Sequence, residues 1–308
     1  MKSLNFEANN IIDDGKKEKI IERIRAETAR IKNYTPKVAI FGDSGVGKSS
    51  LCNALFGKDV AAISDITACT REPQEILLSS GDGGIILIDV PGIGEDPARH
   101  LEYKELYKSL LPNLDLVLWA IKADDRKYST SIEVYNEILK PNIENCPVLF
   151  VITQVDKIEP HRKWNEEGCE PGPEQMANLN VKMLDISTRF EASAGRIVAV
   201  AANESWNMIE LVERIVDILP NEKKYSFARE ALEENVSEET IRKVENGFFN
   251  ALKEKFSNVF EFVKNDLQDI VLTALSTDTI KSAAAGAIKS VAKSAAIKMA
   301  AFWKAKSQ

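Results

Sequence analysis

The chain is poor in the residues that build metal centres and disulfide frameworks. It has two histidines, His100 and His161, and four cysteines, Cys52, Cys69, Cys146 and Cys169, at no metal-ligand or paired spacing. This argues against a zinc module or a disulfide scaffold and favours free, buried thiols in a reducing compartment. No apolar run approaches the roughly 20 residues of a membrane-spanning helix. Met1 to Glu7 lack the apolar centre of a signal peptide, so a cytoplasmic location is expected. Proline is absent after Pro220, and glycine falls to Gly247 and Gly286. That excludes a turn-rich β module over 221–308 and predicts helix nearly throughout. Acid is absent after Asp278, while Lys281, Lys289, Lys293, Lys298, Lys304 and Lys306 follow, so a net charge of −7 divides into +6 over 279–308 and −13 elsewhere. What remains is ordinary: 44% hydrophobic and 28% charged residues in a 308-residue chain, enough for a full core and more than one minimal α/β domain.

Against that background one segment stands out. Gly42-Asp43-Ser44-Gly45-Val46-Gly47-Lys48-Ser49 matches G-x-x-x-x-G-K-[ST], between the strand-like run Val38-Ala39-Ile40-Phe41 and the helically spaced Ser50 to Phe56. Glycines let successive backbone N–H groups converge on one centre, and the following helix N-terminus adds its own amides. Residues Asp43, Ser44, Gly45, Val46, Gly47, Lys48, Ser49 and Ser50 are therefore the expected phosphate cradle of a nucleoside triphosphate site. Lys48 brings a positive charge to the β- and γ-phosphates, and the Ser49 hydroxyl is a hard oxygen ligand for Mg²⁺.

Three further signals select the nucleotide. Asp89-Val90-Pro91-Gly92 follows the buried-strand run Ile85 to Ile88, 47 residues beyond Gly42. Asp89 is expected to hold Mg²⁺ through water, and the Gly92 N–H to meet the γ-phosphate. Thr153-Gln154-Val155-Asp156 follows a second such run, Pro147 to Ile152. A carboxylate there accepts from N1–H and N2–H₂ of guanine, donors that adenine lacks, while the Gln154 stem covers one face of the base. The competing reading is a polar turn with Asp156 as a solvated cap. Finally Ala201-Ala202-Asn203 ends the run Arg196 to Val200, where small residues leave N–H groups open to guanine O6.

With these residues the chain resembles the Era-like GTPases of the TrmE–Era–septin class over roughly 36–220. Asp65-Ile66-Thr67-Ala68-Cys69-Thr70-Arg71-Glu72 is similar to the switch I segment of that group, which implies that Thr70 reaches Mg²⁺ in the GTP state. The runs Ser49 to Leu55, Thr67 to Pro73 and Trp119 to Arg126 closely resemble GTPases carried in bacterial prophage regions and labelled 50S ribosome-binding or Era-like. The chain departs from the group at named positions. Gly45 stands where many members have a K⁺-coordinating Asn; Thr153 and Gln154 replace Asn and Lys; Ala201 replaces Ser. Ile93 stands where Ras-type enzymes carry a water-orienting Gln, so slow hydrolysis is expected, with the missing group supplied by a switch residue, a second copy of the domain or a partner. The resemblance implies a mobile switch I (57–72) and switch II (91–101). Era carries a KH domain for RNA, which needs strands and a Gly-x-x-Gly loop. Residues 221–308 have neither pattern, so RNA or ribosome binding has no support beyond the family label.

The expected organisation is a leading helix (1–35, with Ile20, Ile21, Ile24 and Ile31 at helical spacing), a GTPase domain (36–220) and an α-helical region (221–308). The fold class is α/β: a P-loop, small-GTPase-like, mostly parallel sheet ordered βαββαβαβαβα with helices on both faces. Residues 159–174, with Pro160, Pro171 and Pro173, read as an inserted loop. Phe248, Phe249, Leu252, Phe256, Val259, Phe260 and Val263 form a core-facing stripe. In the cationic tail 279–308, Ile280, Ala284, Ile288, Val291, Ala295, Met299 and Phe302 share one face opposite Lys289, Lys293 and Lys304. An anionic membrane (peripheral at the inner membrane), a partner protein or second protomer, and packing on the acidic body all fit it. The leading functional reading is a slow, Mg²⁺-dependent GTPase switch with GTP and GDP as ligands. A self-assembling dynamin- or immunity-related GTPase, including a homodimer through the GTPase domain, and a nucleotide-binding scaffold with negligible turnover are the alternatives. Asp156 argues against an ATPase or kinase.

Overall fold

A computed structural model describes residues 14–43, 45–57, 74–78, 84–90 and 100–260. Central strands β1 (Lys37–Phe41) and β4 (Leu116–Lys122) alternate with period two, and both sets of side chains are buried. Val38, Ile40, Leu116, Leu118 and Ala120 face one apolar layer; Ala39, Phe41, Val117, Trp119 and Ile121 face the other. A strand apolar on both sides requires helices above and below.

That is the architecture observed. Strands β2 (Gln74–Leu78), β3 (Ile85–Asp89), β5 (Val148–Thr153) and β8 (Ile197–Ala199) complete a six-stranded sheet in the order β2-β3-β1-β4-β5-β8. All neighbours are parallel except edge strand β2, antiparallel to β3. On one face lie α3 (His100–Leu110), α4 (Ser129–Val134, running on as a π-turn through Leu139) and α5 (Pro173–Phe190). Trp119 is the centre of that layer, with Phe41, Tyr135, Phe150 and Phe190 ringing it at centroid distances of 6.0 to 6.3 Å. The insert after β5 is not a featureless loop. It forms a small antiparallel hairpin, β6 (Trp164–Asn165) with β7 (Glu170–Pro171).

The opposite face carries α1 (Asp14–Lys32), α2 (Lys48–Phe56), α6 (Met208–Ile218), α7 (Asn221–Glu230) and α8 (Glu238–Phe260). One apolar cluster runs from Val38 and Leu55 through Ile24 and Ile31 to Phe227, Phe248, Leu252 and Phe256. The first and last described helices are thus part of the sheet's own core. The C-terminal end of α1 is closed from α7: Ser226 Oγ donates to the Ile31 carbonyl at 2.8 Å, and the Arg229 guanidinium donates to the carbonyls of Lys32 and Tyr34. A cation there also complements the helix dipole. Asp115, 4% exposed, joins three segments: it accepts from Tyr34 Oη at 2.8 Å and from the Lys37 N–H at 2.8 Å, and it pairs with Lys223 Nζ at 2.5 Å. Burial, then the hydrogen bond to Asp115, pushes the Tyr34 phenol well above its ordinary pKa. Burial also pushes the Cys146 thiol up to about 12. Of the three described cysteines only Cys146 is fully buried as expected; Cys52 is half-buried, and Cys169, in the hairpin turn, is exposed. Among the described residues no helix is long and apolar enough to cross a membrane.

Candidate functional site

The glycine-rich loop joins the carboxyl end of β1 to the first residue of α2, Lys48. Its end glycines have different jobs. Gly42 has φ +145°, and a Cβ on it would lie 2.5 Å from the Ala120 carbonyl oxygen of β4, so only glycine lets the loop seat on that strand. Gly47 has φ +90° and turns the chain into α2. Lys48 folds back over the loop, its ammonium donating to the carbonyls of Gly42 (3.0 Å) and Asp43 (3.2 Å).

The two residues at which this chain departs from Asn-Lys grip that loop from the end of β5. Thr153, 2% exposed, donates its hydroxyl proton to the Val46 carbonyl at 2.6 Å. Gln154 donates from Nε2 to the Gly45 carbonyl at 2.7 Å, and its Oε1 accepts from Lys157 Nζ at 3.2 Å. Gln154 sits at φ 56°, a left-handed conformation that bends β5 into the 3₁₀ turn Val155–Lys157 carrying Asp156. The Val155 N–H donates to the Val200 carbonyl at 3.3 Å, which ties this turn to the chain leaving β8. There Ala201 and Trp206 face each other as an isolated antiparallel bridge: Trp206 N–H donates to the Ala201 carbonyl (3.1 Å) and Ala201 N–H to the Trp206 carbonyl (3.3 Å). The Ala201 amide is therefore used within its own loop, whereas Ala202 opens the 3₁₀ turn Ala202–Glu204.

Asp89 ends β3 and is in register with Ile40 of β1, while Ser49 and Ser50 lie in the first turn of α2. The structure thus brings Asp43, Gly45 to Ser50, Asp89, Thr153, Gln154, Asp156, Ala201 and Ala202 to one side of the sheet, beyond the carboxyl ends of its parallel strands, where open α/β sheets hold ligands. Ser44, Thr70, Gly92, Ile93 and Cys69 lie outside the described residues, as do switch I from 58 to 72, switch II from 91 to 99 and the tail 279–308. The hydroxyl and carboxylate chemistry of Ser49 and Asp89 is a hard oxygen set, which fits Mg²⁺ rather than a thiophilic metal. Among the described residues there is no cluster of three His, Cys, Asp or Glu to suggest another ion.

Several contributors to the site carry no motif. Ala120 supplies the surface that Gly42 seats on, and Asn207 Nδ2 holds the Ala199 carbonyl at 2.9 Å. Lys182 of α5 donates to the Asp125 carbonyl and to Tyr128 Oη, fastening the loop that leaves β4. Burial lowers its pKa to about 8.

Several known proteins resemble this chain. Residues 37–154 match the family described as 50S ribosome-binding GTPase. The protein YkfA of Escherichia coli K12 is 40% identical over 203 residues, covering 66% of this chain and 69% of YkfA. The GTPase Era of Aquifex aeolicus is 31% identical over 188 residues, 59% of this chain and 56% of Era. A crystal structure of an Aquifex aeolicus Era variant bound to GDP·AlF4⁻ is 27% identical over 60% of this chain, with a TM-score of 0.42. The chain spans only 57% of that Era chain, so the match leaves much of Era unaccounted for.

Proposed function

This chain belongs to the 50S ribosome-binding GTPase family, and on that premise we propose that it is a Mg²⁺-dependent GTP-binding switch that hydrolyses GTP slowly. One observation carries the reading: the turn bearing Asp156 is bolted to the phosphate loop by Thr153 on Val46 and Gln154 on Gly45. A base-reading carboxylate and a phosphate cradle held in fixed relation recognise the two ends of one nucleotide. In this reading the amides of Asp43 to Ser50 and the Lys48 ammonium take the phosphates, and Asp156 accepts from N1–H and N2–H₂ of guanine. The Ala201-Ala202 turn presents an amide to O6.

Ser49, Thr70 and, through water, Asp89 would hold Mg²⁺, which neutralises charge on the β- and γ-phosphate oxygens when bound. Lys48, Thr70 and the Gly92 N–H respond to the γ-phosphate, so GTP and GDP leave the two switches in different states. Ile93 has no group to orient an attacking water. Turnover of the lone chain is accordingly slow, and the missing group comes from a switch residue, a second copy or a partner. The ribosome of the family label and the RNA of Era belong to those relatives and are not carried over to this chain.

Calorimetric titration with GDP, GTP and ATP in the presence of Mg²⁺, together with turnover measured across protein concentration, tests the reading. Wild type binds GDP and GTP but not ATP. Lys48→Ala weakens both guanine nucleotides. Asp156→Ala leaves guanine donors unpaired, at about 1–3 kcal/mol each, and so loses roughly tenfold or more in GDP affinity. Protein that ignores GTP and GDP overturns it.

A further inference from the structure

The hairpin after the Asp156 turn has no part in phosphate binding, yet it is built as a rigid part. Gln175, with 0% exposure, closes its base from α5: Oε1 accepts from the Gly172 N–H at 3.1 Å, and Nε2 donates to the Ile158 carbonyl at 3.0 Å. Asn178 Nδ2 holds the Glu159 carbonyl at 2.7 Å. The two arms touch backbone to backbone at the bottom, where a Cβ on Gly172 would stand 2.3 Å from the Lys163 carbonyl oxygen. At the tip Asn165 Oδ1 accepts from the Gly168 N–H at 3.1 Å. Such a hairpin transmits position.

It follows the Asp156 turn after a short 3₁₀ segment (His161–Lys163), and it touches the other guanine-facing segment. Trp164 of β6 meets Trp206 edge-to-face, with ring centroids 6.4 Å apart and planes at 81°. Trp206 is the residue that both hydrogen-bonds and faces Ala201, next to Ala202. The path Asp156–Ile158–hairpin–Trp164–Trp206–Ala201–Ala202 is thus a closed ring, with the Val155 to Val200 hydrogen bond as its other side.

We infer that this hairpin is a brace for guanine recognition, and that Trp164 and Trp206 are positioning residues that fix the Asp156 carboxylate relative to the Ala202 amide. The inference rests on the reading of Asp156 and Ala202 given above. Those two groups must meet neighbouring atoms along one edge of a planar base, the amide at O6 and the carboxylate at N1–H and N2–H₂, and hydrogen bonds weaken steeply when donor and acceptor lose alignment. Without the brace the phosphate grip survives, because Thr153 and Gln154 hold it independently, but the base is read less sharply.

The test compares GDP with IDP, whose hypoxanthine lacks the 2-amino donor to Asp156. Calorimetric affinities for both are measured for the full chain and for Trp164→Ala, Trp164→Leu, Trp164→Phe and Trp206→Ala. In the alanine and leucine variants GDP affinity falls about tenfold and IDP affinity less, so that the GDP:IDP preference drops roughly fivefold, the scale of one misaligned hydrogen bond. Trp164→Phe, which keeps an aromatic edge against Trp206, restores most of the preference. Trp164→Leu keeps apolar bulk on the core and serves if the alanine variant fails to fold. A wild-type GDP:IDP preference left unchanged by Trp164→Leu overturns the brace while leaving the guanine site standing. Wild-type protein with no preference for GDP over IDP overturns the assignment of Asp156 itself.

Discussion

Thr153→Val isolates the bond on which the site depends. The substitution keeps shape and removes one hydroxyl, so that the carbonyl of Val46, a residue 4% exposed, loses the donor that stands 2.6 Å away. The pocket around Thr153 admits no water in exchange, since the residue is 2% exposed. An unsatisfied buried acceptor costs about 1–3 kcal/mol. For a folded unit of about 150–250 residues each kcal/mol moves Tm by roughly 2–4 °C, so a fall of about 2–12 °C is expected by scanning calorimetry. The same carbonyl fixes the orientation of the loop's neighbouring peptides, so GDP affinity falls too, by up to about tenfold. Thr153→Ser is the control: it loses a methyl group, about 0.8 kcal/mol, but keeps the donor and hence the GDP affinity. Gln154→Ala, a weaker perturbation, should add to Thr153→Val less than fully, because both bonds restrain one loop. A Thr153→Val protein with wild-type Tm and wild-type GDP affinity would refute the claim that this side chain locks the loop.

Two other perturbations follow from the geometry. Asp115→Ala strips Tyr34, the Lys37 amide and Lys223 of their common acceptor; breaking a buried pair in this way costs about 3–5 kcal/mol, read as a lower urea midpoint, with α1 the first element to lose amide-exchange protection. Lys182 gives a pH signature. Its folded pKa is lowered to about 8 from 10.5, so between those values the unfolded chain holds a proton that the folded chain has released, and stability rises with pH across that window. The difference in stability between wild type and Lys182→Met should therefore change from about pH 8 to 10.5 and be flat below; a difference independent of pH throughout would contradict it.

The parts of this molecule legible in its sequence were those with short-range causes. The phosphate loop announces itself because strand, glycines and helix N-terminus are contiguous. The two-sided strands show as apolar runs, and α1 and α8 as stripes of Ile24 and Ile31 or of Phe248, Leu252 and Phe256. What stayed hidden depends on distance or on very short elements. Nothing in the run around Arg229 says that its guanidinium ends a helix some 195 residues earlier. The β6–β7 hairpin has two residues in each strand, too few for a period to register. Gln154 adopts a left-handed backbone without the Gly or Asn that would signal it. Trp164 and Trp206 lie 42 positions apart and meet only in the folded chain.

The seating of α1 sets an order of events during synthesis. This helix is translated well before part of the surface that receives it: Ser226 and Arg229 at its end, and Phe256, whose ring lies 5.9 Å beneath the Arg23 guanidinium. Until α7 and α8 have emerged, Ile24 and Ile31 lack part of the apolar surface that covers them. A fragment ending at 220 would strip α7 and α8 from the cluster that covers α1 and one face of the sheet, so excising the proposed nucleotide site for study calls for keeping both flanks.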